Sequence, residues 1–178
     1  MRHILPGILS LIQYKNDIEC RLEENLRPER CECCGKLKPW RHGDYPRKAG
    51  RDDDATLNPI KIQRYYCSTC KKTMSVLPEC IPPRRWYLWK TQQAAILLLL
   101  SIGSARSVEK QTKPSRHTIK RWLAWLITQF KVHKDALCSH FPFFGRYTEP
   151  MRFWVHVFEQ LPLSTAMRLC HVSGVSIP

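Results

Sequence analysis

The sequence predicts an α+β protein, and three observations along its 178 residues support that class. Apolar residues recur at three- and four-residue intervals before Pro28, which is typical of helices. Short segments broken by Gly and Pro follow from residue 31 to residue 80 and are typical of strands. From residue 81 to residue 134, an apolar run and an amphipathic segment predict further helices.

Residues 1–30 are predicted to form one or two packing helices that end at Pro28. Pro6 and Gly7 interrupt the apolar stretch at the start, and no small-residue cleavage site follows it, so we expect no signal peptide. A chain that is not exported stays in a reducing compartment, where disulfides are disfavoured. The nine cysteines therefore need another explanation, and metal binding is the leading one. The apolar positions with helical spacing are Ile8, Leu11, Ile12, Ile18, Leu22 and Leu26.

Within residues 31–80, the stretches "RHGDYPR" and "IKIQRYY" are predicted to be short antiparallel strands. Between them lies "KAGRDDDATLNP", a polar loop with three consecutive aspartates. Adjacent carboxylates in a loop that contains Gly and Asn are more often solvated than catalytic. We therefore do not expect a metal site at these aspartates.

The same segment carries two C-x2-C pairs, Cys31 with Cys34 and Cys67 with Cys70, separated by 32 residues. Two intervening residues allow a tight turn to direct both sulfurs at one ion, and two such knuckles complete a tetrahedron. Gly35 provides the permissive backbone that the first knuckle needs, whereas the second has Lys71 at the matching position. Residues 31–80 are therefore predicted to form a zinc ribbon that holds one structural Zn2+ ion.

Other interpretations of these cysteines remain open. A rubredoxin-like iron site uses the same ligands, but those electron carriers are generally acidic, so the basic setting favours zinc. A thioredoxin-type redox pair would need a strand-to-helix context that is not visible. Cys33 points elsewhere if Cys31 and Cys34 ligate, although Cys31 with Cys33 is an alternative pair of poorer geometry. Four cysteines lack a partner at ligand spacing and are predicted to be small buried side chains: Cys20, Cys80, Cys138 and Cys170.

The formal net charge of +14 is concentrated in the middle of the chain. Residues 91–134 carry eight basic side chains and one acidic side chain, Glu109, while residues 31–90 carry thirteen basic and six acidic ones. Basic and acidic residues balance in residues 1–30 and in residues 135–178. A basic stripe of this kind favours a partner with dense negative charge such as nucleic acid, although a solvated surface gives the same composition.

Residues 81–134 begin with Pro-bounded basic and aromatic residues. The run "AAILLLLSIG" is about half of the roughly 20 residues that a membrane span needs, so it is predicted to be a buried helix, with no membrane partner. Before it, Arg84 and Arg85 are candidate DNA contacts. The neighbouring Trp86, Tyr87 and Trp89 could stack on single-stranded bases, although a buried aromatic cluster is favoured.

A short helix at about 104–112, a turn at Lys113 and Pro114, and a helix capped by Ser115 are the layout of a helix-turn-helix. On the last helix, Ile119, Trp122, Leu123, Leu126 and Phe130 are predicted to face the core. An ordinary helical hairpin with a solvated charged face is the alternative. The residues predicted to contact DNA are Arg116, His117, Lys120, Arg121 and Lys113, together with Arg84 and Arg85.

Residues 135–178 form the last of four predicted parts, after packing helices (1–30), a zinc ribbon (31–80) and a helix-turn-helix part (81–134). This tail is rich in aromatic residues and predicts a helix at about 163–171 that is closed by Gly174. Its aromatic side chains could complete the core or form an interface, and the core is favoured. They are Phe141, Phe143, Phe144, Phe153, Trp154 and Phe158.

Several stretches together resemble the zinc-ribbon plus helix-turn-helix front part of bacterial insertion-sequence transposases, and the stand-alone transposase-related proteins of that layout. They are "CECCG", "WRHGDYPR", "IQRYYCSTCKKTMSVLPECIPPRRWY" and "SRHTIKRWL". The resemblance covers roughly residues 28–130 and is most specific from Arg64 to Pro78. It implies that Cys31, Cys34, Cys67 and Cys70 bind zinc, that the helices recognise element-end DNA, and that the protein is cytoplasmic, bacterial and nucleoid-associated.

The sequence departs from such transposases in having no room for their RNase-H-like catalytic domain, which holds two metal ions on three carboxylates. After residue 134 the acidic residues are Asp135, Glu149 and Glu159, without a strand-rich pattern. We therefore expect no enzymatic activity. The prediction is a non-catalytic zinc protein that binds double-stranded DNA, as a transposition accessory or a mobile-element-derived regulator. The alternatives are a protein-interaction adaptor, or the DNA-binding fragment of a split transposase whose carboxylates lie on a partner chain.

Overall fold

The computed structural model describes residues 2–20, 26–48, 58–84 and 87–177, and confirms the predicted α+β class. The chain divides into two compact units, Met1–Tyr87 and Leu88–Pro178, which we call the ribbon unit and the helical unit. All described strands lie in the ribbon unit. The predicted division into four parts, with boundaries after residues 30, 80 and 134, stays a prediction.

The ribbon unit is built on one mixed sheet with the strand order β1-β4-β3-β2. Strand β1 runs parallel to β4, whereas β2 with β3 and β3 with β4 are antiparallel. The two strands predicted from the sequence are confirmed as β2 and β3. The described elements are β1 (Arg2–Leu5), α1 (Leu11–Glu19), β2 (Trp40–Arg47), β3 (Ile60–Tyr66) and β4 (Thr73–Pro78).

The N-terminal segment differs from the helical prediction. Residues 11–19 are helical, but Arg2–Leu5 form a strand, and residues 21–25, including Leu22, lie outside the described residues. Strand β1 pairs its backbone with β4, where His3 stands opposite Val76 and Ile4 opposite Leu77. A short apolar run carries no periodicity that separates strand from helix, so the neighbouring strand decides its conformation.

The core of the ribbon unit lies between helix α1 and the sheet. Tyr14 of α1 is fully buried, and its hydroxyl donates a hydrogen bond to the carbonyl of Lys61 in β3 at 3.1 Å. Tyr65 and Met74 are buried on neighbouring strands. This packing fixes the strands that lead into the second cysteine pair.

The helical unit consists of six described α-helices and one 3-10 helix. They are α2 (Trp89–Ile102), α3 (Ala105–Gln111), α4 (Arg116–Thr128), α5 (Phe130–His140), the 3-10 helix (Pro142–Arg146), α6 (Pro150–Gln160) and α7 (Leu163–Val172). The predicted last helix is confirmed, and Gly174 follows it with a φ of +82°. The tail aromatics complete the core at Phe144, Phe153, Trp154 and Phe158, whereas Phe141 is half-buried and Phe143 is exposed.

Helix α2 is only partly the buried helix that its sequence predicts. Ala95, Ile96 and Leu99 are buried, whereas Leu97 is exposed on the opposite side of the helix and Ile102 is exposed as its last residue. No helix in the described part of the chain combines the length and apolar character needed to cross a bilayer.

A buried histidine lies in the core of the helical unit. The ring of His133 is fully buried and makes edge-on contacts with Trp125 at 4.8 Å and Trp154 at 5.5 Å between ring centroids. Neither ring nitrogen has a hydrogen-bond partner among the described residues. Burial without a charged partner lowers the pKa of His133 to about 4.

Because His133 is buried in its neutral form, we expect the folded protein to lose stability in acid. The unfolded chain takes up a proton near pH 6.5, whereas the folded protein takes it up only near pH 4. The stability that depends on neutral His133 is therefore fully present above pH 6.5. It is lost as the pH falls towards 4, and the total loss is about 3 kcal/mol. Replacing His133 with Phe keeps a buried ring and removes this titration. Urea unfolding between pH 7 and pH 4 should show a shallower loss of stability in His133→Phe, and equal slopes would contradict the prediction.

Candidate metal centre and basic helix

Both cysteine pairs lie in turns with the same backbone geometry. The N–H of Cys31 donates to the carbonyl of Lys36 at 2.8 Å, and the N–H of Cys67 donates to the carbonyl of Lys72 at 3.0 Å. Gly35 follows the first pair with a φ of +70°, as its permissive backbone predicts. Lys71 adopts the same left-handed conformation in the second turn, with a φ of +57°. For a residue with a side chain, this conformation costs about 1 kcal/mol.

The two turns bring four sulfur atoms together. The distance between Cys31 Sγ and Cys70 Sγ is 3.6 Å, and that between Cys34 Sγ and Cys67 Sγ is 3.5 Å. All four sulfurs lie within 4.8 Å of one another, close enough to hold a metal ion. Four thiolates at about 2.3 Å from a tetrahedral ion would be about 3.8 Å apart, so this donor set fits a four-thiolate centre.

The cluster is electrostatically asymmetric. Hydrogen bonds from the backbone N–H groups of Cys70 and Thr69 lower the pKa of the Cys67 thiol to about 6. Burial, together with the neighbouring thiols, raises the pKa of Cys70 to about 12. Without a cation, the cluster therefore favours a mixture of thiolate and thiols. A bound metal requires thiolates, so its binding displaces protons from this cluster.

Cys33 does not join the cluster. It is exposed, and its Sγ lies 3.2 Å from Nζ of Lys72, so the structure brings Cys34 rather than Cys33 to the other ligands. Among the other cysteines, Cys80 and Cys170 are buried as predicted, and Cys138 is half-buried. The prediction of burial is wrong for Cys20, which is exposed at the C-cap position of helix α1.

In the helical unit, the predicted short helix, turn and capped helix are confirmed as α3 and α4. Oγ of Ser115 accepts a hydrogen bond from the N–H of Thr118 at 3.4 Å, which caps the start of α4. Glu109 of α3 adds a second contact, because its Oε1 accepts from the N–H of Arg116 at 3.1 Å. A carboxylate is favoured at this position by the positive end of the helix dipole.

Helix α4 separates apolar and basic residues onto different sides. Ile119, Trp122 and Leu126 are buried as predicted, whereas Leu123 and Phe130 are half-buried. Helix α4 ends at Thr128, so Phe130 begins α5 instead of continuing the core face of α4. The basic residues in its first turns are exposed and share one side of the helix: Arg116, His117, Lys120 and Arg121.

The other residues predicted to contact DNA are distributed differently. Lys113 is exposed in the turn between α3 and α4. Arg84 is exposed in the ribbon unit, while Arg85 and the adjacent Trp86 lie outside the described residues. Trp89 is buried, as the favoured aromatic-cluster interpretation predicts, and Tyr87 is half-buried.

Two features of the structure are not predicted from the sequence. The capping role of Glu109 has a signal in the sequence, because Glu109 is the one acidic residue among residues 91–134. The exposure of Trp40, at 65% of its surface, has no such signal, because an isolated Trp is more often buried than exposed.

Comparison with known protein families matches residues 31–122 to the family described as "Domain of unknown function (DUF6431)". The matched segment contains all four clustered cysteines and the basic turns of α4. Neither the curated proteins nor the solved structures contain a significant match.

Proposed function

Because this chain belongs to the DUF6431 family, and the matched segment contains the cysteine cluster, helix α3 and the first turns of α4, we propose that the protein binds double-stranded DNA. In this proposal α4 is the recognition helix, a zinc ion stabilises the ribbon unit, and the chain performs no chemistry of its own.

The basic side of α4 is the observation that carries the proposal. Arg116, Lys120 and Arg121 are exposed in the first two turns of a helix whose opposite side is buried. A recognition helix enters the major groove with its N-terminal residues against the base edges. Arginine can bridge O6 and N7 of guanine or grip a phosphate, and lysine contacts phosphate as a point charge.

The packing beneath α4 supports this role, because a recognition helix must be held rigidly. Ala105 and Val108 of α3 are buried, as are Ile119 and Trp122 of α4. The contact from Glu109 to the N–H of Arg116 ties the start of α4 to α3. The basic side chains in the first turn of α4 are therefore attached to a rigid backbone, which favours specific contacts with base edges.

Zinc is the metal that best suits the cluster. Four thiolates in two turns are the ligands of a closed structural zinc site, which leaves no open position for a substrate. The same ligands also bind iron, but four-thiolate iron proteins are generally acidic electron carriers, and this chain has a formal net charge of +14. The ion would be held by Cys31, Cys34, Cys67 and Cys70, and its binding energy would contribute to folding.

The resemblance to the front part of insertion-sequence transposases supports a role with mobile DNA, as a transposition accessory or a mobile-element-derived regulator. Selection of bound sequences from a random duplex library distinguishes these roles from non-specific binding. A selected motif can then be compared with element ends and promoters. A protein-interaction adaptor would instead bind a protein partner with little dependence on salt.

Replacing Lys120 and Arg121 with Ala is expected to weaken duplex binding by at least about ten-fold at physiological salt, because two cations leave the proposed contact surface. The slope of log affinity against log salt should become shallower by about 0.9 for each phosphate contact that is lost. Fluorescence anisotropy with a labelled duplex at several salt concentrations measures both quantities.

The matched control is the double replacement of Lys131 and Arg152 with Ala, which removes the same charge elsewhere in the helical unit. Lys131 is exposed on α5, and the side chain of Arg152 on α6 is 84% exposed. This control should keep most of the affinity. Equal losses in the two double variants would mean that α4 is not a specific contact surface.

A further inference from the structure

The sheet of the ribbon unit exposes aromatic side chains at the end next to the cysteine pairs. Trp40 of β2 stands opposite Tyr66 of β3, which in turn stands opposite Thr73 of β4. Residues paired in this way direct their side chains to the same side of a sheet. The ring of His42 lies 5.7 Å from that of Tyr66 and is tilted by 36°, so it belongs to the same side. We call Trp40, His42, Arg64, Tyr66 and Thr73 the aromatic face.

Arg64 joins this face through a side-chain contact. Its Nη2 donates a hydrogen bond to Oγ1 of Thr73 at 3.3 Å. Arg64, Tyr66 and Thr73 are half-buried, whereas His42 is exposed. The opposite side of these strands is core, because Tyr65 and Met74 are buried. At this end of the sheet, one side therefore stabilises the fold, and the other carries aromatic and cationic groups that are partly or fully exposed.

Trp40 is exposed over 65% of its surface, yet the backbone that carries it is held in place. Arg27 donates from Nε to the carbonyl of Pro39 at 3.0 Å and from Nη2 to the carbonyl of Lys38 at 2.8 Å. Lys38 has a φ of +48°, a strained conformation for a residue with a side chain. A side chain on a fixed backbone has only its own rotations to lose on binding, which favours its use as a contact.

His42 lies two residues after Trp40, so the alternation of β2 places it on the same side of the sheet, next to a bulge. Between the pairs formed by Arg41 and Asp44, two residues of β2 oppose one residue of β3, and Gly43 adopts a φ of +91°. Bulges of this kind bend an edge strand and redirect a side chain. Trp40 is paired with Tyr66 and the ring of His42 lies against that of Tyr66, so the three aromatic residues lie together on one side of the sheet.

The charge near this face favours an anionic partner. Lys38 and Arg41 flank Trp40 along the chain, and Lys72 precedes Thr73; all three are exposed. In β2 the exposed carboxylate is Asp44, and the nearby Glu32 is paired with His3, with 2.6 Å between Oε1 and Nδ1. Aromatic rings interleaved with cations are typical of surfaces on which nucleobases stack while their phosphates are neutralised.

We propose that the aromatic face binds single-stranded nucleic acid, with an unpaired base stacked on Trp40 and phosphates contacted by the neighbouring cations. In a duplex the faces of the bases are covered by their neighbours, so a stacking site of this kind selects unpaired bases. The inference does not depend on α4, because it rests on residues of the ribbon unit alone.

The test uses the full-length, metal-loaded protein and a labelled oligonucleotide of about 12 nucleotides, a length within the range of known single-strand sites. Replacing Trp40 with Ala is expected to weaken single-strand binding by about ten-fold, because one base loses its stacking partner. Trp40→Phe should retain most of the affinity. The salt dependence should be equal in all three proteins, since stacking neutralises no phosphate.

Leu37 provides the matched control. It is 56% exposed and lies three residues before Trp40, but it has no ring on which a base could stack. Leu37→Ala should leave single-strand binding unchanged. Metal content and thermal unfolding of each variant verify that the ribbon unit remains folded.

Two outcomes would overturn the inference. In the first, Trp40→Ala binds single strands as tightly as the unaltered protein, which would leave the aromatic face to a protein partner. In the second, Leu37→Ala weakens binding as much as Trp40→Ala, which would indicate a general apolar effect. The Lys120 and Arg121 variants separate this inference from duplex recognition, because they should weaken binding to duplexes and leave the contribution of Trp40 to single-strand binding intact.

Discussion

Replacing Cys67 with Ser should abolish tight metal binding and unfold the ribbon unit. Cys67 is fully buried, and its sulfur lies 3.5 Å from that of Cys34 within the four-sulfur cluster. A structural four-thiolate zinc site supplies about 10 to 16 kcal/mol of binding free energy, which is coupled to folding. The whole stability of a typical domain is only about 5 to 15 kcal/mol. Loss of one buried ligand is therefore the most damaging single change that we predict.

The measurement is the zinc content of the purified protein, together with its thermal unfolding with and without a chelator. Cys33→Ser is the matched control, because Cys33 lies in the same turn as Cys31 and Cys34 but its sulfur contacts Lys72 instead of the cluster. We expect this control to retain one zinc ion and an unchanged melting temperature. A Cys67→Ser protein with full metal content and the original melting curve would show that the cluster is not a metal site.

The second large effect is expected at Trp154, where replacement by Ala should destabilise the helical unit by about 3 to 5 kcal/mol. The Trp154 side chain is fully buried and contacts the rings of Phe153 and Phe158. Its Nε1–H donates to the carbonyl of Leu126 at 3.1 Å. Leu126 lies in the last turn of α4, where carbonyl groups lack partners within the helix. The truncation therefore leaves both a cavity and an unpaired carbonyl.

Two further variants separate these contributions. Trp154→Phe keeps a ring in the core but removes the hydrogen bond, and should cost about 1 to 3 kcal/mol. Phe143→Ala truncates an exposed ring and should cost less than about 1 kcal/mol. Urea unfolding gives the three free energies of unfolding. If the exposed position proved as sensitive as Trp154, the helical unit would not be packed around α6 as described.

The features that depend on local sequence were predictable. Spacing predicts the two cysteine turns, because each C-x2-C pair forms its own turn; their convergence follows from the four ligands that one tetrahedral ion needs. The start of α4 is also predictable, because the cap residue Ser115 directly precedes the first turn of the helix. The antiparallel strands β2 and β3 were also recognisable from their composition.

The features that depend on distant partners were not predictable. Strand β1 forms because β4, more than 70 residues later in the chain, offers it a free edge. Glu109 caps α4 only because the turn places α3 beside the start of that helix. The exposure of Trp40 depends on which side of β2 packs against the core. The bulge in this strand disrupts the alternation of apolar and polar residues from which that side could be predicted.

Strand β2 affects whether copies of this protein associate through their sheets. It forms one border of the described sheet, and the unpaired backbone groups of such a border readily recruit a strand from another chain. Here the bulge bends the strand, and Pro46 lacks an N–H with which to extend the ladder. Repulsion between the exposed positive charges of Arg41 and Lys48 in neighbouring copies opposes strand-by-strand assembly further. Copies of this protein at high concentration should therefore remain separate rather than join into a continuous sheet.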